Sequence, residues 1–127
     1  MQRKFRLTRS EDFKRVRRSG KSYAHPLVVL IALKGEKSEG PRVRVGVAAG
    51  RTVGTAVTRN RAKRLLRESM RTLIPDIALR QSQDNTSNLD LVLIARPGLA
   101  SASLEDTRKA LLNLLRRAQI PLPLHES

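Results

Sequence analysis

The sequence predicts a two-layer α/β sandwich built around a small sheet. Short apolar segments of strand length alternate along the chain with segments of helical periodicity. The strand segments are 27–33, 42–49 and 89–95. The two longer helical segments, 56–73 and 103–118, each carry one apolar stripe, as helices that cover a sheet do.

Length and composition fit one domain. The chain has 127 residues, and 39% of them are hydrophobic, which is enough for a single core. We find no internal repeat and no linker. We therefore expect one domain over 1–120, followed by a flexible C-terminal tail at 121–127.

The first predicted element is a short helix over 8–19. Thr8 followed by Glu11 has the spacing of a capping box, and Gly20 fits the position after a helix end. The helix has little apolar surface. Phe13 could anchor it to the core or offer a stacking surface to a base, and the sequence leaves both interpretations open.

The next two segments are predicted strands of different kinds. The apolar run at 27–33 is typical of a buried strand, whereas 42–49 alternates. Its core face would consist of Val43, Val45, Val47 and Ala49, and its other face of Arg42, Arg44, Gly46 and Ala48. Because the second face is small and basic, it leaves room for a ligand to lie across the sheet.

The helix predicted over 56–73 has two chemically different sides. Its core-facing stripe would consist of Ala62, Leu65, Leu66, Ser69, Met70 and Leu73. Its opposite side would carry Asn60, Lys63, Arg64, Arg67 and Arg71, with Arg59 and Arg61 flanking the stripe. Pro75 predicts the end of this helix, and the polar stretch 81–88 predicts a loop.

The last strand, 89–95, is followed by a helix that Ser103 would cap. The buried stripe of that helix would consist of Leu104, Thr107, Leu111, Leu114, Leu115 and Ala118. The segments 42–49 and 89–95, with the basic helix between them, make a βαβ unit. For such a unit a right-handed crossover is the default expectation.

The charge of the chain is concentrated in two segments. The chain carries 26 Lys and Arg against 11 Asp and Glu, for a net charge of +15. Residues 1–21 hold nine basic and two acidic residues, and residues 51–71 hold seven basic and one acidic residue. Because ordinary surfaces mix both signs, this concentration indicates a polyanionic partner.

The sequence lacks the residues and motifs on which most catalytic mechanisms depend. The absence of Cys excludes disulfides, thiolate nucleophiles and Cys-based metal sites. His25 and His125 have no partner motif, and the turn between Gly50 and Gly54 lacks the Lys-Ser/Thr of a phosphate-binding loop. No apolar run approaches the length of a membrane span. We therefore expect a cytoplasmic protein with no membrane association and no catalytic residue of its own.

The basic helix favours nucleic acid as the partner. Arginine makes bidentate contacts with phosphates and base edges and stacks on bases. No second helix precedes this one, as a helix-turn-helix would require. The small sheet face with Arg44 is better suited to a single strand than to a duplex.

These residues match a known family. The segment TAVTRNRAKRLLRE (55–68), with its Arg59-Asn60-Arg61 triplet, closely resembles the signature of the protein subunit of bacterial ribonuclease P. Three further segments resemble that family in the same order: LTRSEDFKRVRRSGKSYA (7–24), RVGVAAGRTVG (44–54) and LDLVLIARPGLA (89–100). The resemblance covers nearly the whole chain.

The resemblance implies a fold and an activity. The fold would be an αβββαβα sandwich with a left-handed crossover at the basic helix and an additional strand near 22–24. The protein would partner a catalytic RNA, most simply as a monomer in a 1:1 complex, and assist it in removing the 5′ leader of precursor tRNA. The RNA would hold the Mg²⁺ ions and perform the hydrolysis, and the protein alone would bind no cofactor.

The resemblance also implies two RNA-binding surfaces. The residues toward the catalytic RNA would be Arg51, Arg59, Asn60, Arg61, Lys63, Arg64 and Arg67. The residues of a cleft for the single-stranded leader would be Phe13, Lys14, Arg17, Tyr23 and Arg44. The family often has a second aromatic residue at the position of Arg17, and Ser-Lys-Lys at the position of Gly50-Arg51-Thr52. The cleft would thus rely more on charge and less on stacking than in relatives.

Two other functions remain as alternatives. One is a general basic RNA-binding or ribosome-associated protein, which would not distinguish precursor from mature tRNA. The other is a stand-alone nuclease, which would need catalytic residues that we do not find in the sequence.

Overall fold

The structure, a computed structural model, describes residues 3–35, 43–83 and 88–120. The helices are α1 (Ser10–Ser19), α2 (Ala56–Arg71), α3 (Leu73–Gln83) and α4 (Leu104–Arg117). The strands are β1 (Lys21–Ala24), β2 (Val28–Gly35), β3 (Val43–Ala49) and β4 (Asn88–Ala95). Short 3₁₀ helices lie at Arg3–Phe5, Arg51–Val53 and Pro97–Ser101. The predicted tail at 121–127, and Arg42, lie outside the described residues.

The four strands form one mixed sheet in the order β1-β2-β4-β3. The β1–β2 and β2–β4 pairs are antiparallel, and β3 pairs with β4 in parallel. The outer edge of β3 is covered in part by the N-terminal segment, because the Leu7 N–H donates to the Val45 carbonyl over 2.9 Å.

The two faces of the sheet are packed differently. One face carries α2, α3 and α4 over a large core that includes Leu30, Val45, Leu66, Ile77 and Leu114. The other face carries α1 over a small cluster of buried residues: Leu7, Val16, Ile31 and Val92. The predicted faces of β3 are confirmed, since its valines pack into the large core and Gly46 lies against α1.

The predicted sandwich of helices and one small sheet is confirmed as an α+β fold, and so is the helix–strand order implied by the resemblance, with α3 as an additional helix. The strand expected near 22–24 is β1. The hand of the β3–β4 crossover stays a prediction. Among the described residues, no helix is long and apolar enough to cross a membrane.

The prediction that Pro75 ends the helical region is wrong. The helix α2 ends at Arg71, and Pro75 is the third residue of α3, where a proline is tolerated because first-turn N–H groups have no helical acceptor. The helix α3 packs against the large core through the buried side chains of Ile74 and Ile77. The loop expected at 81–88 is wrong at both ends, since Gln81 belongs to α3 and Asn88 to β4, and residues 84–87 lie outside the described residues.

The N-terminal cap predicted for α4 is confirmed, and the one predicted for α1 is wrong. Ser103 caps α4, because its Oγ accepts the Asp106 N–H over 3.0 Å. The capping box predicted at Thr8 and Glu11 is wrong, since α1 begins at Ser10 and no side chain caps it. Leu104, which was predicted to be buried, is 42% exposed, because the stripe of α4 begins at Thr107.

Gly20 is required by close packing and not by its dihedral angles. Its φ is −82°, an extended value open to any residue. A Cβ there would lie 2.6 Å from the Val16 carbonyl oxygen and 2.9 Å from the Ala32 carbonyl oxygen. These are backbone atoms of α1 and β2, so the glycine sets how closely the helix end approaches the sheet.

We expect Gly20→Ala to lower the free energy of unfolding by about 1–3 kcal/mol, because backbone atoms cannot move aside for the added methyl group. Urea denaturation measures the change. Gly50→Ala is the matched control, since a Cβ at Gly50 would meet no atom within 4 Å. Equal stabilities of the two variants would contradict this account of Gly20.

Candidate nucleic-acid interface

The basic helix α2 begins abruptly after a tight turn. Gly54 has φ 142°, in a region that side-chain-bearing residues rarely adopt. Thr55 then caps the helix, as its Oγ1 accepts the Thr58 N–H over 3.3 Å. Arg59 and Arg61 follow within two turns of helix. The turn and the cap therefore fix where α2 begins and, with it, the positions of these two residues.

The cations of this surface have no carboxylate partner among the described residues. The structure places the predicted residues on α2 and on the turn before it, all of them exposed or half-buried. They are Arg51, Arg59, Asn60, Arg61, Lys63, Arg64 and Arg67. Within the described residues, none of these cations forms an ion pair, whereas Arg71 at the helix end pairs with Glu68 at 2.9 Å. Unpaired arginines and lysines on one helix are free to neutralise phosphates.

On the opposite face of the sheet, the Phe13 ring lies directly against the backbone of β3. A Cβ at Gly46 would lie 2.5 Å from Phe13 Cζ, so only glycine lets the ring approach this closely. Phe13 remains half-buried, with part of its surface open. Of the two interpretations of Phe13 left open above, the structure shows that the ring anchors α1, and stacking of a base on its accessible part stays a prediction.

Beside Phe13, four charged side chains form a cluster between α1 and the sheet. Arg44 donates from Nε and Nη2 to the two oxygens of Asp90, both over 3.0 Å. Arg15 donates from Nη2 to Asp90 over 2.6 Å and to Asp12 over 3.2 Å. The Arg44 and Asp12 side chains approach within 3.8 Å. Two positive and two negative charges thus compensate one another.

The pKa of Arg15 is raised above its ordinary value, chiefly by the hydrogen bond to Asp90 and in spite of burial. This arginine therefore keeps its charge. Sequence analysis singled out Arg44 but missed Arg15, Asp12 and Asp90, because nothing in the sequence pairs residues 75 positions apart.

The remaining residues predicted for the leader cleft are placed unequally. Lys14 and Arg17 are exposed on α1. Tyr23 is not in the cleft, and this part of the prediction is wrong. It pairs with Leu30 in the β1–β2 ladder and packs against the large core on the other face of the sheet. Because side chains alternate along a strand, the neighbouring Ile31 of β2 is the residue that faces α1.

A cavity of about 200 Å³ at the outer edge of β3 joins the two surfaces. It is lined from one side by Phe13 and from the other by Arg67 of α2. Its remaining lining residues are Arg6, Leu7, Thr8, Val45 and Val47. Sequence analysis did not single out Arg6, and it assigned Thr8 to a helix cap and not to a binding surface. The concentration of charge in 1–21 was the available signal, but only the pairing of residue 7 with β3 places them here.

The described residues contain no group of three or more His, Asp or Glu side chains able to hold a metal ion. Asp12 and Asp90 are engaged with arginines. What the site offers is therefore cationic and aromatic: unpaired guanidinium groups on α2, a partly open ring at Phe13, and a cavity between them.

Comparison with known proteins shows the family of this chain. The family model described as Ribonuclease P matches residues 1–119. The chain belongs to the ribonuclease P protein family. The ribonuclease P protein component of Brevibacillus brevis is 36% identical over 127 residues, covering 98% of this chain and 93% of the relative. That of Herpetosiphon aurantiacus is 37% identical over 120 residues, covering 94% and 89%.

Solved structures of the ribonuclease P protein family share the fold. The Thermotoga maritima ribonuclease P protein, solved in complex with 1-(4-fluorophenyl)-2-thiourea, is 29% identical with a TM-score of 0.69, covering 88% of this chain and 98% of its own. The Staphylococcus aureus ribonuclease P protein, at 23% identity, shows likeness of fold with a TM-score of 0.69, covering 91% and 96%. The alternative of a general RNA-binding or ribosome-associated protein is not favoured by these comparisons.

We expect the double substitution Arg59→Gln with Arg61→Gln to weaken binding to ribonuclease P RNA and to reduce the slope of log affinity against log salt by about 2, because each lost phosphate contact removes roughly 0.9 from a duplex slope. Titration at several salt concentrations measures both quantities. Arg108→Gln with Arg116→Gln, two exposed arginines of α4, makes the same change in net charge. Equal losses in the two double variants would show that only net charge matters.

Proposed function

We propose that this protein is the RNA-binding subunit of ribonuclease P and assists a catalytic RNA in the endonucleolytic removal of the 5′ leader from precursor tRNA. The observation that carries the proposal is the separation of two different surfaces on one small domain. The unpaired cations lie on α2, and a partly open aromatic ring lies on the other side of the sheet. One surface suits a folded RNA, and the other suits a single strand.

In this proposal, the α2 surface binds the catalytic RNA. Its arginines provide planar donor groups for phosphates, and Asn60 can both donate and accept beside them. Their freedom from carboxylates supports the assignment, since an unpaired guanidinium loses no internal ion pair when it meets a phosphate. The residues assigned to this surface are Arg51, Arg59, Asn60, Arg61, Lys63, Arg64 and Arg67.

The leader would bind between α1 and β3. A base of the leader would stack on the open part of Phe13, while Lys14 and Arg17 would approach the phosphates from the exposed side of α1. Arg44 would lie on the floor of the cleft beside the ring. Because a mature tRNA has no leader, this surface would distinguish substrate from product.

Hydrolysis in this proposal belongs to the RNA. The sequence offers no cysteine and few histidines for acid–base or metal chemistry, which supports a binding role for the protein. The Mg²⁺ ions would be needed by the RNA-containing holoenzyme, and the protein alone would bind no cofactor. We further propose a monomeric protein in a 1:1 complex with the RNA, acting in the cytoplasm.

The test of this function is reconstitution. A 5′-labelled precursor tRNA is incubated at low Mg²⁺ with a bacterial ribonuclease P RNA, with and without the protein. We expect cleavage to be rescued by the protein, because added positive charge and leader binding replace part of the need for Mg²⁺. The protein alone should not cleave. Cleavage by the protein alone would instead indicate a stand-alone nuclease.

The leader cleft is tested by Phe13→Ala. We expect holoenzyme affinity for precursor tRNA to fall by about 1–3 kcal/mol, the range for one lost base stack, with little change for mature tRNA. Phe5→Ala is the matched control, since Phe5 is also half-buried but packs against the large core. If Phe13→Ala weakened both tRNAs equally, the ring would not be a leader contact.

A further inference from the structure

The four charged side chains of the cluster beside Phe13 lie at two different depths. Its two carboxylates lie deeper than its two guanidinium groups. The side chain of Asp90 is 11% exposed and that of Asp12 is 22% exposed, whereas Arg15 and Arg44 are 37% and 34% exposed. The negative charges therefore lie beneath, and the positive groups face outward.

The hydrogen bonds leave N–H donors unused on each guanidinium. Arg44 uses Nε and Nη2 for Asp90, and Arg15 uses only Nη2. Within the part of the chain that the structure describes, Nη1 of neither arginine makes a hydrogen bond, and Nη1 of Arg44 lies 3.8 Å from an Asp12 oxygen, beyond hydrogen-bond distance. A guanidinium carries five N–H donors, so each arginine can still donate to an anion from its remaining N–H groups.

The position of the cluster relates it to the leader cleft. Arg44 and Gly46 lie on the same face of β3, two residues and about 7 Å apart. Asp12 directly precedes Phe13 in α1. A strand whose base stacks on Phe13 would therefore carry a phosphate past the outer sides of Arg15 and Arg44.

We propose that Arg15 and Arg44 form a phosphodiester-binding seat in the leader cleft and that Asp90 is its positioning residue, which holds both guanidinium groups oriented before RNA binds. This inference rests on the proposed function and adds Arg15 and Asp90 to that site. The advantage is one of preorganisation. Arginine side chains that are already ordered lose less rotamer freedom on binding, so more of the contact energy appears as affinity.

The experiment compares Asp90→Asn with Glu68→Gln in the reconstituted holoenzyme. Both substitutions remove one carboxylate that is ion-paired to an arginine, so both change the net charge equally. Glu68 lies on α2, away from the cleft. The measurements are the affinity ratio of precursor to mature tRNA and the KM and kcat for precursor cleavage, at a temperature where circular dichroism shows both variants folded.

We expect Asp90→Asn to lower the affinity ratio about five- to tenfold, the value of one weakened charged hydrogen bond, through a higher KM with kcat unchanged at saturation. Glu68→Gln should leave the ratio at the wild-type value. A merely structural role of Asp90 would move the unfolding transition but not the ratio of the folded protein.

Arg15→Gln provides a second variant that keeps the Arg44–Asp90 pair, and it decides the matter if Asp90→Asn fails to fold. It should also lower the ratio. The proposal is overturned if the ratio is unchanged in Arg15→Gln, or if Asp90→Asn raises it, since the carboxylate would then compete with the leader for the arginines. A wild-type holoenzyme with no preference for precursor tRNA would instead contradict the proposed function itself.

Discussion

The parallel pairing of β3 with β4 determines where each functional group of this protein lies. The pairing sets Arg44 beside Asp90 and Gly46 beside Val92, on the face that α1 covers. It also directs Val45 and Val47 into the core beneath the other helices. Because side chains alternate along a strand, a slip of one residue would move the arginine into the core and the valines out of it. The aromatic cleft and the four-charge cluster both depend on this single register.

The positively charged side chains form two groups, one without and one with carboxylate partners. On α2 the arginines from Arg59 to Arg67 and Lys63 have no carboxylate partner among the described residues, so their field extends into solvent and attracts any polyanion. Beside Phe13 the charges are compensated by Asp12 and Asp90, so that attraction is local and depends on geometry. The expectation that the cleft relies more on charge and less on stacking than in relatives stays a prediction. In the proposed function, long-range attraction would belong to α2, and selection would belong to the aromatic and oriented groups on the other face.

The sequence predicted those features that depend on local periodicity. The alternation in 42–49 identified both faces of β3, and the spacing in 56–73 separated the core stripe of α2 from its basic side. The pattern failed where tertiary contacts decide. Pro75 resembles a helix end but lies in the first turn of α3, and Gly20 resembles a left-handed cap but serves close packing. Tyr23 was assigned to the cleft by the family resemblance, although strand alternation turns it to the opposite face.

The two surfaces that we propose for RNA are adjacent, although they lie on different faces of the sheet. Because β3 is an edge strand, only this strand separates the two surfaces. Arg67 and Phe13 line the same cavity at that edge. The free-energy effects of two substitutions that line one cavity are expected to be coupled, whereas the effects of distant substitutions are expected to be additive. Arg59 and Arg61 lie about two turns of α2 from Arg67 and should act independently of the leader. Arg67, together with Arg6 at the cavity rim, is therefore where binding of the catalytic RNA and binding of the leader would influence one another.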